Sequence, residues 1–161
     1  MSVEIRHVGP DDWTDWRMMR QRSLTEDPQA FSSSTAMWTG DNDTEARWRE
    51  RLADGPCFIA YDGERPIGMV AGRIVDNRAE LISMWVGAEA RRRGVGRALI
   101  QTVIAWANGR PLRLRVMDGN AAAVDAYAQQ GFVLQDGCDD EGCRLMWLRN
   151  QPADGPPAEQ T

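Results

Sequence analysis

Apolar and polar residues follow two rhythms along this chain, and the changes between them outline its elements. Val3-Glu4-Ile5-Arg6 alternates at every second position, the period of a half-buried strand. From Trp13 the spacing lengthens. Trp13, Trp16 and Arg20 fall roughly on one face of a helix that Asp11 or Asp12 can cap and that Pro28 and Ser32-Ser33-Ser34 break. A second short helix is predicted over 44–52, with Trp48 and Leu52 four apart, closed by Asp54-Gly55-Pro56. Strand rhythm then returns. Residues 57–61 and 67–75, joined by Asp62-Gly63-Glu64-Arg65-Pro66, read as a hairpin, and 80–86 as the next strand.

The strongest helical signal comes next. Val95, Ala98, Leu99, Thr102, Val103 and Trp106 recur at helical intervals and form one continuous buried face, ended by Asn108-Gly109. Leu112, Leu114 and Val116 alternate with arginines as a fifth strand. Asn120 caps a helix that Gly131 stops, and 132–134 with 144–148 form a last pair of strands around the acidic loop 136–141. The order β-α-α-β-β-β-α-β-α-β-β predicts an α/β (α+β) protein: a mixed sheet with helices on both faces. There is no internal repeat. Residues 1–150 are expected to form one domain, and 151–161, proline-rich and aperiodic, a disordered tail.

Composition narrows the function classes. Hydrophobic content of 42% with 27% charged residues is that of an ordinary soluble protein. No apolar run approaches the roughly 18 residues of a membrane span, and the N-terminus lacks a secretory pattern. A cytoplasmic protein with no membrane partner is expected. The net charge of −5 argues against a general nucleic-acid binder and suits a cationic partner better. All 19 basic residues are arginine. Cys57, Cys138 and Cys143 lack metal-ligand spacing and are expected as free thiols; no metal is expected. The single histidine, His7, sits in a strand-like run and makes a poor partner for a nucleophile.

One segment carries chemistry. Arg91-Arg92-Arg93-Gly94-Val95-Gly96-Arg97 joins a strand to the start of the strongest helix. Glycines there let the backbone approach an anion, and the first helical amides point at it with the positive end of the dipole behind them. The spacing is neither G-x-G-x-x-G nor a Walker loop, which needs a lysine this chain does not contain.

This segment, preceded by 81–86 and followed by Asn120, Tyr127 and Gly131-Phe132 in an N-x6-Y…GF pattern, resembles the GNAT superfamily of acetyl-CoA-dependent N-acetyltransferases. The resemblance covers nearly all of 3–149. It implies a mostly antiparallel seven-stranded sheet splayed between strands 4 and 5. It implies further that Arg91, Arg92, Arg93, Gly94, Val95, Gly96 and Arg97 hold the pyrophosphate of acetyl-CoA, and that the backbone of Met84, Trp85 and Val86 pairs with the pantetheine arm like an added strand. Asn120 is implied to contact that arm, and Tyr127 to donate a proton to the CoA sulfur. The alternatives are a plain N-cap for Asn120 and a buried core aromatic for Tyr127.

Glu80 matches the base of the histone-acetylating branch by its distance from the glycine turn. Otherwise it is a polar residue facing solvent where the strand begins. In another branch the base is a glutamate at a position occupied here by Arg115. Carboxylate and alkyl ammonium differ by about 6 pKa units, roughly 8 kcal/mol, so a base must be raised, act through water, or wait for the acidic tetrahedral adduct. Ser83 is a candidate to orient a water.

The acceptor is expected to be a primary amine on a small molecule or peptide. Asp41, Asp43 and Glu45, with Asp136, Asp139, Asp140 and Glu141, are candidates to attract a cationic amine, or else solvated loops. Trp13, Trp16, Trp38 and Trp48 are candidates for aromatic walls or core. Asp27-Pro28-Gln29-Ala30-Phe31 is similar to a segment of many small bacterial acetyltransferases, without selecting a substrate. A homodimer is expected by analogy with the fold. A different class stays open: a non-catalytic acyl-CoA-binding or regulatory protein on the same fold.

Overall fold

The computed structural model describes residues 2–28 and 35–149. The segment 29–34, with the expected serine break, and the tail from 150 lie outside the described residues. Seven strands form one sheet in the order β1-β2-β3-β4-β5-β7-β6. They are β1 (Val3–Val8), β2 (Cys57–Asp62), β3 (Arg65–Val75), β4 (Arg78–Val86), β5 (Leu112–Met117), β6 (Phe132–Leu134) and β7 (Cys143–Leu148). The helices are α1 (Trp13–Glu26), α2 (Glu45–Ala53), α3 (Val95–Ala107) and α4 (Ala121–Gln129). All pairings are antiparallel except β4 with β5. None of the described helices is long and apolar enough to cross a membrane.

Strand alternation sends successive side chains to opposite faces, and each face builds its own core. On one face Cys57, Ile59, Tyr61, Met69, Ala71 and Trp85 pack against Trp16 and Met19 of α1 and Trp48 and Leu52 of α2. On the other, Ala60, Ile67, Val70, Leu81, Leu112, Leu114 and Met146 pack against Val95, Leu99 and Val103 of α3 and Tyr127 of α4. Trp16 and Trp48 are therefore core, and Trp38 stacks on Trp48 at 4.6 Å between ring centres. Two helices have the side-chain cap that the sequence suggests; Asp12, at the N-cap of α1, makes no such bond and accepts from the Gly9 amide instead. Thr44 accepts from the Arg47 amide and Asn120 from the Ala123 amide.

Two features of β3 and β4 position the site. First, β3 carries Gly68 and Gly72 beneath α3. A Cβ on Gly68 would lie 3.0 Å from Leu99 Cδ1, and one on Gly72 only 2.5 Å from the Trp106 ring. Bare backbone lets α3 settle onto the sheet. Second, β4 contains one extra residue: Met69 pairs with Trp85, but Ala71 pairs with Ile82. Ser83 takes φ of 56° inside this bulge, a left-handed conformation costly for a residue with a side chain. Past the bulge β4 abandons β5. Their parallel ladder comprises Ala79–Leu112, Glu80–Arg113 and Leu81–Leu114 and goes no further. The expected splay between strands 4 and 5 is present.

Gly72→Ala is expected to destabilise the fold by about 1–3 kcal/mol through overpacking against Trp106. A fall of several degrees in the thermal melt followed by circular dichroism checks it; an unchanged melt would mean that α3 does not rest on bare backbone.

Candidate active site

Where β4 and β5 diverge, a cleft of about 930 Å³ opens between the end of β4, the start of α3 and the face of α4. It gathers most of the residues singled out from sequence: Met84, Trp85, Val86, Arg91, Arg92, Gly94, Gly96, Arg97, Asn120 and Tyr127 line it. Arg93 and Val95 do not. Val95 is 2% exposed and belongs to the core beneath α3.

The turn into α3 is built from left-handed residues. Arg92 has φ of 64° and Gly94 of 79°, and Gly94 acts as the N-cap. The first intrahelical bond runs from the Ala98 amide to the Gly94 carbonyl, so the three amides before Ala98 have no carbonyl of their own helix to reach. The two glycines differ. Gly94 needs its conformation, since a Cβ there would meet nothing within 4 Å. Gly96 has no positive φ, and its Cβ would find only Met84 Cε at 3.5 Å and Val86 Cγ2 at 3.7 Å, ordinary contacts. The protein itself has room for a Cβ at Gly96, so packing does not demand a glycine there.

On the opposite wall Asn120 uses its side-chain oxygen as the cap of α4, accepting from the Ala123 amide at 3.2 Å. Its amide NH2 remains available to the cleft. Tyr127 sits about two turns further along the same face of α4, 9% exposed and edge-on to Phe132 at 5.8 Å. Its hydroxyl has no hydrogen-bond partner among the described residues, and burial pushes its pKa well above the ordinary phenol value. The hydroxyl therefore keeps its proton and has it to offer.

Glu80 requires a correction. Contrary to the plain reading, it does not face solvent where the strand begins. It is 3% exposed and held in a cross-strand row: Arg73 Nε donates to one carboxylate oxygen at 2.7 Å and Arg113 Nε to the other at 2.8 Å. Burial alone would raise its pKa, but the bonds and charges of Arg73 and Arg113 more than offset that and leave it lowered. Arg113 also lies 5.8 Å over the Trp147 ring. A carboxylate with both oxygens engaged and its proton affinity reduced is a strut across β3, β4 and β5 at the last pairs before the splay.

Arginines also engage the acidic loops. Asp43 accepts from Arg17, Gln21 and the Trp48 indole, and Arg17 foremost drives its pKa far down. Glu45 pairs with Arg49, and Arg115 takes both Asp139 and Glu141. Most of the carboxylates expected to attract a cation are thus paired with an arginine, some of them sharing one. The three cysteines are free, and His7 packs beside Phe58, away from the cleft. Among the described residues no group of three or more His, Cys, Asp or Glu is placed to hold a metal.

Asp27, Asp118 and Met117 line the cleft without having been singled out for it. The Asp27-Pro28 signal was visible in the sequence, but its partners are distant in the chain. Asp27 accepts from the Trp85 indole and from Arg91, both at 2.7 Å.

Comparison with known proteins agrees with this geometry. The sequence model of the Acetyltransferase (GNAT) family matches residues 13–132, and the chain belongs to that family. It is 23% identical over 151 residues to the uncharacterized N-acetyltransferase YafP of Escherichia coli (strain K12), covering 92% of this chain and 93% of YafP. The fold is shared with the PaiA N-acetyltransferase of Thermoplasma acidophilum solved in complex with coenzyme A (TM-score 0.76, 20% identity, 93% of this chain and 100% of that one). YncA of Salmonella typhimurium, solved with its cofactor acetyl-CoA, is similar to the same degree (TM-score 0.76, 19% identity, 98% and 99%).

The lowered Glu80 pKa has a defined consequence. Its pairing stabilises the fold fully above the ordinary glutamate value of 4.5, and that contribution is lost as pH falls through the folded-state value. Glu80→Gln is expected to cost roughly 2 kcal/mol at pH 7, about 4–8 °C in melting temperature, with the gap to wild type closing in acid. The pH profile of turnover is expected to keep its shape. A displaced acidic limb at unchanged melting temperature would restore Glu80 as the base.

Proposed function

We propose that this protein transfers the acetyl group of acetyl-CoA directly to a primary amine of a small molecule or peptide, with both substrates bound together. The observation that carries this reading is the convergence of the splayed end of β4, the α3 start and Tyr127 on one cleft. The cleft suits such a donor by its chemistry. Arg91, Arg92 and Arg97 and the orphan helix amides offer charge and dipoles to a diphosphate. Met84, Val86, Ala122 and Ala126 offer a narrow apolar passage to a pantetheine arm, with unpaired β4 backbone alongside.

The lining of the cleft supports direct attack. No cysteine, serine, threonine, lysine or histidine is among its described lining residues, so none of these nucleophiles is there to carry the acetyl group between substrates. In the transfer, the amine nitrogen bonds to the thioester carbon, the nitrogen loses a proton, and the carbon–sulfur bond breaks to leave a thiolate that is protonated in turn. Tyr127, kept protonated by burial, donates a hydrogen bond to that sulfur. With Glu80 engaged by two arginines, nitrogen deprotonation falls to water, and the acidic adduct is the species from which the proton leaves most easily.

A non-catalytic acyl-CoA-binding protein is the second reading, favoured by one observation: the β4 carboxylate is locked in ion pairs. Thiol release from acetyl-CoA across a panel of primary amines separates the two. Turnover on any acceptor supports the enzyme; coenzyme A binding with no turnover on the whole panel supports the binder. With an acceptor in hand, Tyr127→Phe is expected to lower kcat about 10²-fold while leaving the acetyl-CoA KM nearly unchanged, which steady-state kinetics checks.

The glycine turn makes a separate prediction. Gly96→Ala is expected to fold at least as stably as wild type yet bind coenzyme A about tenfold more weakly, as read by calorimetry. Gly94→Ala is expected to lose about 1 kcal/mol of stability from its left-handed backbone. Full coenzyme A affinity in Gly96→Ala would place the cofactor elsewhere.

A further inference from the structure

Helix α1 ends against its own dipole. Its last turn has no basic residue, and Glu26 and Asp27 place two carboxylates where partial negative charge already gathers. Both are compensated from elsewhere. Arg22 pairs with Glu26 at 2.8 Å and with Glu89 at 3.0 Å, while its guanidinium lies 5.0 Å over the Trp85 ring. Asp27 receives the Trp85 indole N–H and an Arg91 N–H on the same oxygen, Oδ2. The indole bond first, then Arg91, hold its pKa below the usual carboxylate range. Arg91 is meanwhile anchored by a second bond, from its Nε to the Val86 carbonyl at 3.0 Å.

An arginine about half exposed is thus fixed at two of its edges. Its remaining amino group has no partner among the described residues, and the side chain lines the cleft. An acidic residue in the wall of an anion site weakens that site's charge, so its presence calls for a geometric reason. Asp27 supplies one, because it removes freedom that Arg91 would otherwise lose on binding.

We propose that Asp27 is a positioning residue: by tying Arg91 and the Trp85 indole together, it presets the guanidinium that meets the diphosphate of the donor. The inference rests on the reading of the cleft as the acetyl-CoA site and adds to it a residue from the far side of the sheet. Asp27 touches no reacting atom and acts through Arg91.

The test is a double-mutant cycle on coenzyme A binding, read by calorimetry, with wild type, Asp27→Ala, Arg91→Ala and the double variant. Asp27→Ala is expected to weaken binding about three- to tenfold, and to have no further effect once Arg91 is alanine. The KM for S-acetylpantetheine, which has no diphosphate, is expected to stay at the wild-type value. Asp27→Asn keeps an acceptor for the indole and loses the charge, so a smaller weakening in the same direction is expected; it also serves if the alanine variant does not fold. Binding as tight as wild type or tighter in Asp27→Ala and Asp27→Asn, or losses that add to those of Arg91→Ala, would overturn the proposal. Failure of wild type itself to bind coenzyme A would overturn the reading of the cleft instead.

Discussion

The short parallel ladder between β4 and β5 is the constraint on which the site depends. Two strands hold together for three residue pairs and then part: β4 takes an extra residue at Ser83, while β5 runs on paired with β7 alone through Met117. A complete ladder would have used the β4 backbone groups internally and left no cleft. The divergence instead frees the edge of β4 at 82–86 and sets it opposite the start of α3 and the face of α4. Gly68 and Gly72 let α3 lie close enough to β3 for its first turn to form the mouth. Backbone strain at Ser83 is thus coupled to the existence of the site.

Charge is arranged around that opening with unusual uniformity, since every basic residue is an arginine. Planar guanidinium groups suit cross-strand and helix-to-strand pairing, because each engages two partners at fixed angles. Arg22 joins Glu26 and Glu89, Arg115 joins Asp139 and Glu141, and Glu80 is shared by Arg73 and Arg113. The exposed pairs contribute little stability individually. What they do is occupy carboxylates. The carboxylate on the expected strand is one of them: Glu80 accepts from an arginine at each oxygen.

Legibility followed the range of the forces involved. The helix over 95–107, the cap at Asn120, the hairpin after 57 and the strand order were readable because periodicity, caps and turn residues are local properties. The glycine turn was readable for the same reason, since an anion cradle is built from consecutive backbone groups. The surroundings of Glu80 were not readable from its place in the strand, because they are set by Arg73, seven residues away, and Arg113, thirty-three away. Asp27 was noticed without a role, since its partners Trp85 and Arg91 lie 58 and 64 residues along the chain.

The sequence by itself therefore determined the elements, their order along the chain and the glycine turn at the start of α3, each encoded within a few neighbouring residues. Tertiary structure alone decided which carboxylates are engaged and by which arginines, and which wall of the cleft each side chain reaches. Those outcomes depend on pairing between strands and helices far apart in the chain, and no local pattern records the partner that a side chain meets after folding.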